Sequence, residues 1–252
     1  MYIDSHLHLS NEDYDIDEVI KNAERVGVLY FILGGINKEI TKMDVELSKK
    51  YKEIYITIGY HPEEVLNIQE DDFNVLEDLI INNREKVVGI GEIGLDYHYD
   101  NSDYIKEKQK NLFIRQIKLA EKYNLPVVIH SRDATLDTYN ILKEYKVKGV
   151  IHCFSGSLEV AKMYIKLGFK LGIGGVVTFK NSKLFEVVKE LSSKDFILET
   201  DSPYLSPIRG EKNEPKNIPL IAEVISNIRC TSIEKIQIDT TNNVKKVFNL
   251  KI

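Results

Sequence analysis

Cysteine is scarce in this chain, long apolar runs are missing, and no stretch concentrates charge of one sign. The two cysteines, Cys153 and Cys230, lie far apart and form no CxxC. They read as free thiols of a reducing cytosol, and a structural disulfide is not expected. No apolar run approaches the roughly 20 residues that a membrane span requires. The start, Met1-Tyr2-Ile3-Asp4-Ser5-His6, lacks the basic and apolar regions of a secretory leader. These absences predict a cytoplasmic protein with no membrane partner. With 34 basic against 39 acidic residues the net charge is -5, and there is no basic arm. Any polyanion must therefore be handled at a local site and not by bulk attraction. No glycine-rich phosphate fingerprint follows the first apolar run, and there is no low-complexity segment.

What the chain does have is an alternation. Its 252 residues, 43% hydrophobic, are ample for one large core. Short apolar runs at 2–8, 28–33, 54–60, 87–92, 126–130, 149–152, 169–173 and 196–201 read as strands. Between them lie segments with apolar residues near helical spacing. The first, Asp15 to Val26, carries Ile16, Val19, Ile20, Ala23 and Val26 near that spacing and is stopped by Gly27. Apolar strands separated by helices indicate a parallel sheet buried on both faces. Eight such units in about 250 residues predict an α/β fold, a TIM (β/α)8 barrel, as one domain over 1–252. An open doubly wound sheet is the runner-up.

The chemistry sits where those runs end. Val87-Val88-Gly89-Ile90-Gly91 runs into Glu92, and a buried carboxylate needs a cationic or metal partner. The first run ends on His6-Leu7-His8, whose two imidazoles share one side of a strand. The third ends near His61, held extended by Pro62. The fifth ends on His130, the sixth on His152, and the eighth runs into Glu199-Thr200-Asp201. Five of the six histidines thus fall at strand ends; His98 lies in the loop after the fourth. In a barrel, catalytic groups occupy the C-terminal ends of the strands. His6, His8, Glu92, His130, His152 and Asp201 are too many ligands for one four-coordinate catalytic ion. They suit two ions, with Glu92 as the bridge because a carboxylate offers two oxygens. Such a shell accepts Zn, Mn, Fe or Ni, and Mg more weakly. Arg132, two residues past His130, and Arg209, Lys212 and Asn213 after Asp201 add phosphate-recognising groups, which points to phosphoryl chemistry. The alternative for each is an ion pair with a nearby acid such as Asp133 or Glu214.

Taken together these residues resemble the TatD family of metal-dependent deoxyribonucleases, within the amidohydrolase-like barrels. The resemblance spans nearly the whole chain. It is carried by Ile3 to His8, Gly59 to Pro62, Gly91 to Tyr97, Pro126 to Ala134, His152 to Gly156, Glu199 to Leu205, Arg209-Gly210 and Asn213 to Pro215. It implies one metal on His6, His8, Glu92 and Asp201, and a second on Glu92, His130 and His152. It also implies activity with Mg or Mn on DNA, at single-stranded or 3′ ends, in the 3′→5′ direction. His61, Arg132, Arg209 and Asn213 would then position the phosphate. Glu92 and Asp201 would be the catalytic carboxylates, with Asp201 accepting the proton of the attacking water. A monomer is expected.

Two competing functions are open at this level. One is metal-dependent carbonyl-ester hydrolysis, such as deacylation of a D-aminoacyl-tRNA. Barrels of this superfamily that open cyclic amides often place a carbamylated lysine on strand four, where this chain has Glu92 and no lysine. The other is a non-catalytic metal-binding scaffold.

Overall fold

In the computed structural model, which describes residues Met1–Ile252, all eight apolar runs become strands. They are β1 (Tyr2–Leu7), β2 (Val28–Gly34), β3 (Ile54–Ile58), β4 (Val87–Asp96), β5 (Val127–Arg132), β6 (Gly149–Ile151), β7 (Lys170–Ile173) and β8 (Phe196–Leu198). Alternating with them are α1 (Ile16–Arg25), α2 (Lys38–Lys50), α3 (Asp72–Asn82), α4 (Asp103–Tyr123), α5 (Thr135–Leu142), α6 (Leu158–Lys166) and α7 (Leu184–Glu190). Two closing helices follow, α8 (Ile218–Ile228) and α9 (Ile233–Val247). The strands stand in sequential order, β1 to β8. Pairing is parallel between β1 and β2, along β3, β4, β5 and β6, and between β7 and β8. Sequential order is that of a (β/α)8 barrel; a doubly wound sheet would reverse its order at a switch point. No helix is long and apolar enough to cross a membrane, and both cysteines are free.

The chain divides into two compact units, Met1–Leu33 with Cys153–Ile252, and Gly34–His152. In the first, every residue of β1 is buried. Helix α1 forms, ending one residue short of the expected boundary, so that Val26 is its C-cap and is exposed. Asp15 caps it by accepting from Glu18 N, and Ile16, Val19, Ile20 and Ala23 are buried. Gly27, at φ +84°, then takes the left-handed turn that a side chain would disfavour. A buried brace ties β1 to the segment after β8. Asp4 Oδ1 accepts from Thr200 N at 2.9 Å, Asp4 Oδ2 accepts from Thr200 Oγ1 at 2.5 Å, and Ser5 Oγ donates to Leu198 O at 2.8 Å. Burial pushes the Asp4 carboxyl up to about 8 against these hydrogen bonds.

In the second unit all ten residues of β4 are buried. Helix α4 secures two strand ends with a pair of buried glutamines seven residues apart, two helical turns along one face. Gln116 exchanges hydrogen bonds with the Tyr60 backbone at 2.7 and 3.0 Å, just past β3. Gln109 does the same with the Asp96 backbone at 2.9 and 2.8 Å, at the end of β4.

Two strands differ usefully from their sequence boundaries. β4 runs four residues past Glu92, to Asp96, because Gly94 lets it press against β5. A Cβ at Gly94, φ +147°, would lie 1.9 Å from His130 O. β8 stops at Leu198 and not at 201, since Thr200 turns its donors to Asp4 and Asp201 adopts φ +59°.

Candidate metal centre

Within the Gly34–His152 unit, β4, β5, β6 and the loop after β3 each deliver a ligand type at their C-terminal ends. Glu92 is buried, and its Oε1 faces three imidazoles. His130 Nδ1 is at 2.8 Å, His61 Nε2 at 3.6 Å and His152 Nε2 at 3.6 Å. Ligand atoms of His61, Glu92 and His130 all lie within 4.8 Å of one another. His130 is held from its other side as well, with Nε2 2.8 Å from Asp96 Oδ2. Burial pulls the His130 imidazole down, yet the hydrogen bonds to Asp96 and Glu92 outweigh it and raise it to about 9. Asp96 shows the converse. Its burial favours the neutral acid, but hydrogen bonds from His130 and from His98 N hold its carboxyl below the usual range.

His61 serves two purposes. Its Nδ1 accepts from Glu63 N at 3.3 Å and so caps the short 3-10 turn Pro62–Leu66. That leaves Nε2 as the nitrogen aimed at Glu92. Burial brings His61 down to about 4, so the ring is neutral at physiological pH.

Within the Met1–Leu33 and Cys153–Ile252 unit a second set forms. The rings of His6 and His8 stand edge to face, 5.0 Å between centroids. Their Nε2 atoms lie 3.9 and 3.8 Å from Asp201 Oδ1. These separations exceed a hydrogen bond; donors sharing one ion at bond lengths of about 2.1 Å stand about 3.0–3.4 Å apart, so the three side chains would close by about 0.5 Å to hold one. Asp201 is placed by backbone: its N–H donates to His6 O at 2.9 Å. The Asp4–Thr200 brace fixes the chain one residue earlier.

The donor chemistry of both sets, imidazole nitrogens around carboxylate oxygens, fits divalent metal ions. His6, His8 and Asp201 could hold one. Glu92 with His130 and His152 could hold another, with His61 as close to Glu92 as His152 is.

The remaining predicted residues separate. Arg132, at the end of β5, has its Nη1 4.0 Å from Asp96 Oδ2 and its guanidinium over the Tyr99 ring. Asp133 pairs with His98 at 3.0 Å. Arg209 is exposed in its loop. Lys212 pairs with Asp13 at 2.8 Å, the ion-pair alternative though with a different acid. Asn213 is fully buried with its amide occupied. Its Nδ2 donates to Thr200 O and Tyr204 O, and its Oδ1 accepts from Glu214 N and Asn217 Nδ2. It shapes the loop after Asp201 and is not presented to a ligand.

Asp96 carries no role in the sequence reading, although Glu92, Gly94 and Asp96 recur at the period of two that places side chains on one face of a strand. Extending β4 through Gly94 would have found it. Asp4 and the two glutamines of α4 gave no comparable signal.

This fold and these two donor sets define a metal-dependent hydrolase of the amidohydrolase-like barrels. Residues 3–249 match the family model for TatD related DNase, and the chain belongs to the TatD family. It is 42% identical to an uncharacterized metal-dependent hydrolase, YabD, of Bacillus subtilis, over 99% of this chain and 100% of that protein. It is 33% identical to the human deoxyribonuclease TATDN3, over 98% of this chain and 94% of that protein. Among solved structures, the TatD homologue YJJV of Escherichia coli superposes with a TM-score of 0.93 at 31% identity, covering 99% of this chain and 98% of that one. The fold is accordingly the TIM barrel expected from the eight strand–helix units.

Proposed function

We propose that this TatD-family hydrolase cleaves phosphodiester bonds of DNA, at single-stranded or 3′ ends and in the 3′→5′ direction. It would use two divalent ions, with Mg or Mn in the active form, acting as a cytoplasmic monomer. The observation that carries this reading is Arg132. A half-exposed guanidinium stands 4.0 Å from Asp96, which itself grips His130. A fork of donors beside a carboxylate–imidazole cluster suits a phosphate better than a neutral acyl group.

His6, His8 and Asp201 would hold one ion, and Glu92, His130 and His152 the other. Bound there, such ions supply Lewis acidity and make water nucleophilic near neutral pH. The protein's own groups do the rest. Asp201 accepts the proton of the attacking water. Arg132 holds the phosphoryl oxygens with charge-assisted hydrogen bonds, and Arg209 lies on the loop that follows Asp201. Neutral His61 offers Nε2–H as a donor without adding charge. Asp96 keeps His130 oriented, the usual role of a carboxylate behind a ligating imidazole.

The test is a metal-stripped sample incubated with 3′-overhang DNA, with and without added Mg or Mn, beside Glu92→Ala. Metal-dependent release of mononucleotides, lost in the variant, is the expected result. No release with metal fully loaded would overturn the reading and turn attention to aminoacyl-tRNA and other carbonyl esters.

A further inference from the structure

We propose that a cleft beside the Glu92–His130–Asp96 cluster receives the planar base of the nucleotide whose phosphate is cleaved, an inference that rests on the phosphodiesterase reading above. The cleft measures about 260 Å³. That is below the roughly 300–1,000 Å³ of sites for drug-sized ligands, so it suits one ring system and not a longer piece of chain. Its apolar walls are Pro62, Val65 and Leu66 from the turn that His61 caps, and Ile105 from α4. Tyr99, from the loop after β4, adds an aromatic face. Leu66 and Tyr99 are 61% and 74% exposed. Two large apolar side chains left open along one cleft are what a stacking ligand would cover.

The position ties the cleft to the chemistry. Asp96 lines it and is also the residue that holds His130 at 2.8 Å. Glu63 lines it too, and its charge is felt by Asp96, His130 and Arg132. Arg132 spans the two functions. One nitrogen lies 4.0 Å from Asp96, and its Cζ lies 5.1 Å from the centre of the Tyr99 ring. Arg132 and Tyr99 are in contact, so a nucleotide held by both would place its phosphate and its base on adjoining side chains.

The polarity of the lining selects the base over the phosphate. The charged groups in the cleft are carboxylates, Glu63, Asp96 and Asp100, which repel an anion. Asp96 is occupied by His130 and His98 N, and Asp100 accepts from Ser102 N at 2.9 Å. Glu63, its side chain half exposed, is the carboxylate left to accept from an N–H of the base, an exocyclic amine or a ring imide.

The test measures binding to the full chain, separately from turnover. Calorimetric titration compares deoxyadenosine 5′-monophosphate with deoxyribose 5-phosphate, on the wild type, on Tyr99→Ala and on Ile105→Trp, which fills the cleft. Tyr99 is exposed, so its truncation does not threaten folding if the tryptophan variant does. The expected result is that the nucleotide binds the wild type about tenfold more tightly than the sugar phosphate. That advantage should collapse in Tyr99→Ala while affinity for the sugar phosphate is unchanged. Equal affinity for the two ligands, no binding of either, or an advantage that survives both substitutions would overturn the proposal. Turnover is scored apart, on DNA ends bearing a base or an abasic sugar. Base-dependent binding without cleavage of any DNA would keep the cleft and overturn the phosphodiesterase reading. Cleavage of both ends at equal rates would keep that reading and overturn the cleft.

Discussion

Glu92 and Asp201 are both carboxylates at strand ends, in different units of the chain, and they are held in opposite ways. Glu92 lies inside β4, is buried, and is 2.8 Å from His130 Nδ1. Asp201 lies beyond β8, is partly exposed, and stands 3.8–3.9 Å from the two imidazoles beside it. Direct hydrogen bonding makes the first set a preformed ionic cluster, in which a proton and a metal ion compete for the same nitrogen. The second set is looser, with both imidazoles farther from the Asp201 carboxylate than His130 is from Glu92. A rigid, buried carboxylate is suited to holding charge. An accessible one on a left-handed backbone turn is suited to exchanging a proton with a bound water.

The sharpest way to break this contrast is to remove each carboxylate. Glu92→Ala should lower bound metal to fewer than two ions per chain, measured by elemental analysis, and reduce turnover on DNA ends by at least about 10³-fold. Full metal loading with normal turnover would show that Glu92 is no ligand. Asp201→Asn keeps an oxygen ligand but not a base. It should retain most of its metal and lose about 10²–10⁴-fold in kcat. A near-wild-type rate at full loading would refute the base role, and loss of metal in step with rate would make the two carboxylates alike.

A finer test addresses the grip on His130. Asp96→Asn removes the charge behind the ring while leaving a side chain of the same shape. It should weaken metal binding by about 10–100-fold, read by competition with a chelator. Unchanged affinity would mean that Glu92 alone orients the ring. Smaller again is the effect of the Asp4 brace. Asp4→Ala leaves the Thr200 N–H without its acceptor in the core and the Thr200 hydroxyl with only Ser202 as partner, at a cost of about 1–3 kcal/mol in denaturant unfolding. A shift in stability without a shift in metal content would confine the brace to folding.

The smallest effect concerns an ion pair that belongs to neither set. The Lys38 ammonium, 2.7 Å from Asp72, and the Gln69 N–H hold the Asp72 carboxyl below its ordinary range. A depressed carboxylate stabilises the fold fully above its unfolded value, about 3.9, and that contribution is lost as pH falls through the lower folded value. Asp72→Asn should therefore lower stability slightly at pH 7, make no difference below the folded value, and so flatten the acid limb between them. Equal stability of the two proteins at pH 7, or a difference that persists unchanged at low pH, would contradict the assignment.

Much of the candidate site was legible because its ligands are marked by abrupt local change. His6, His8, Glu92, His130 and His152 each end an apolar run, and a polar group at the end of a buried strand stands out in one dimension. The strand count followed from the same runs. Asn213 illustrates the opposite case. Its neighbours in sequence, Arg209 and Lys212, suggest phosphate binding, but only the folded loop shows its amide spent on Thr200 and Tyr204. Asp96 fell between these cases, its period-two relation to Glu92 hidden by a strand boundary drawn four residues early.

The sequence by itself determined the alternation of eight strands with helices and which side chains are candidate metal ligands. Both depend on residue type and on spacing within a few positions. Tertiary structure alone decided which groups fix those ligands: Gln109 on the Asp96 backbone, Asp96 on His130, and Asp4 on Thr200. Each partner lies 13, 34 or 196 residues away, and a hydrogen bond leaves no periodic trace in a chain. Its existence depends on backbone paths meeting within about 3 Å, which is a property of the packed fold.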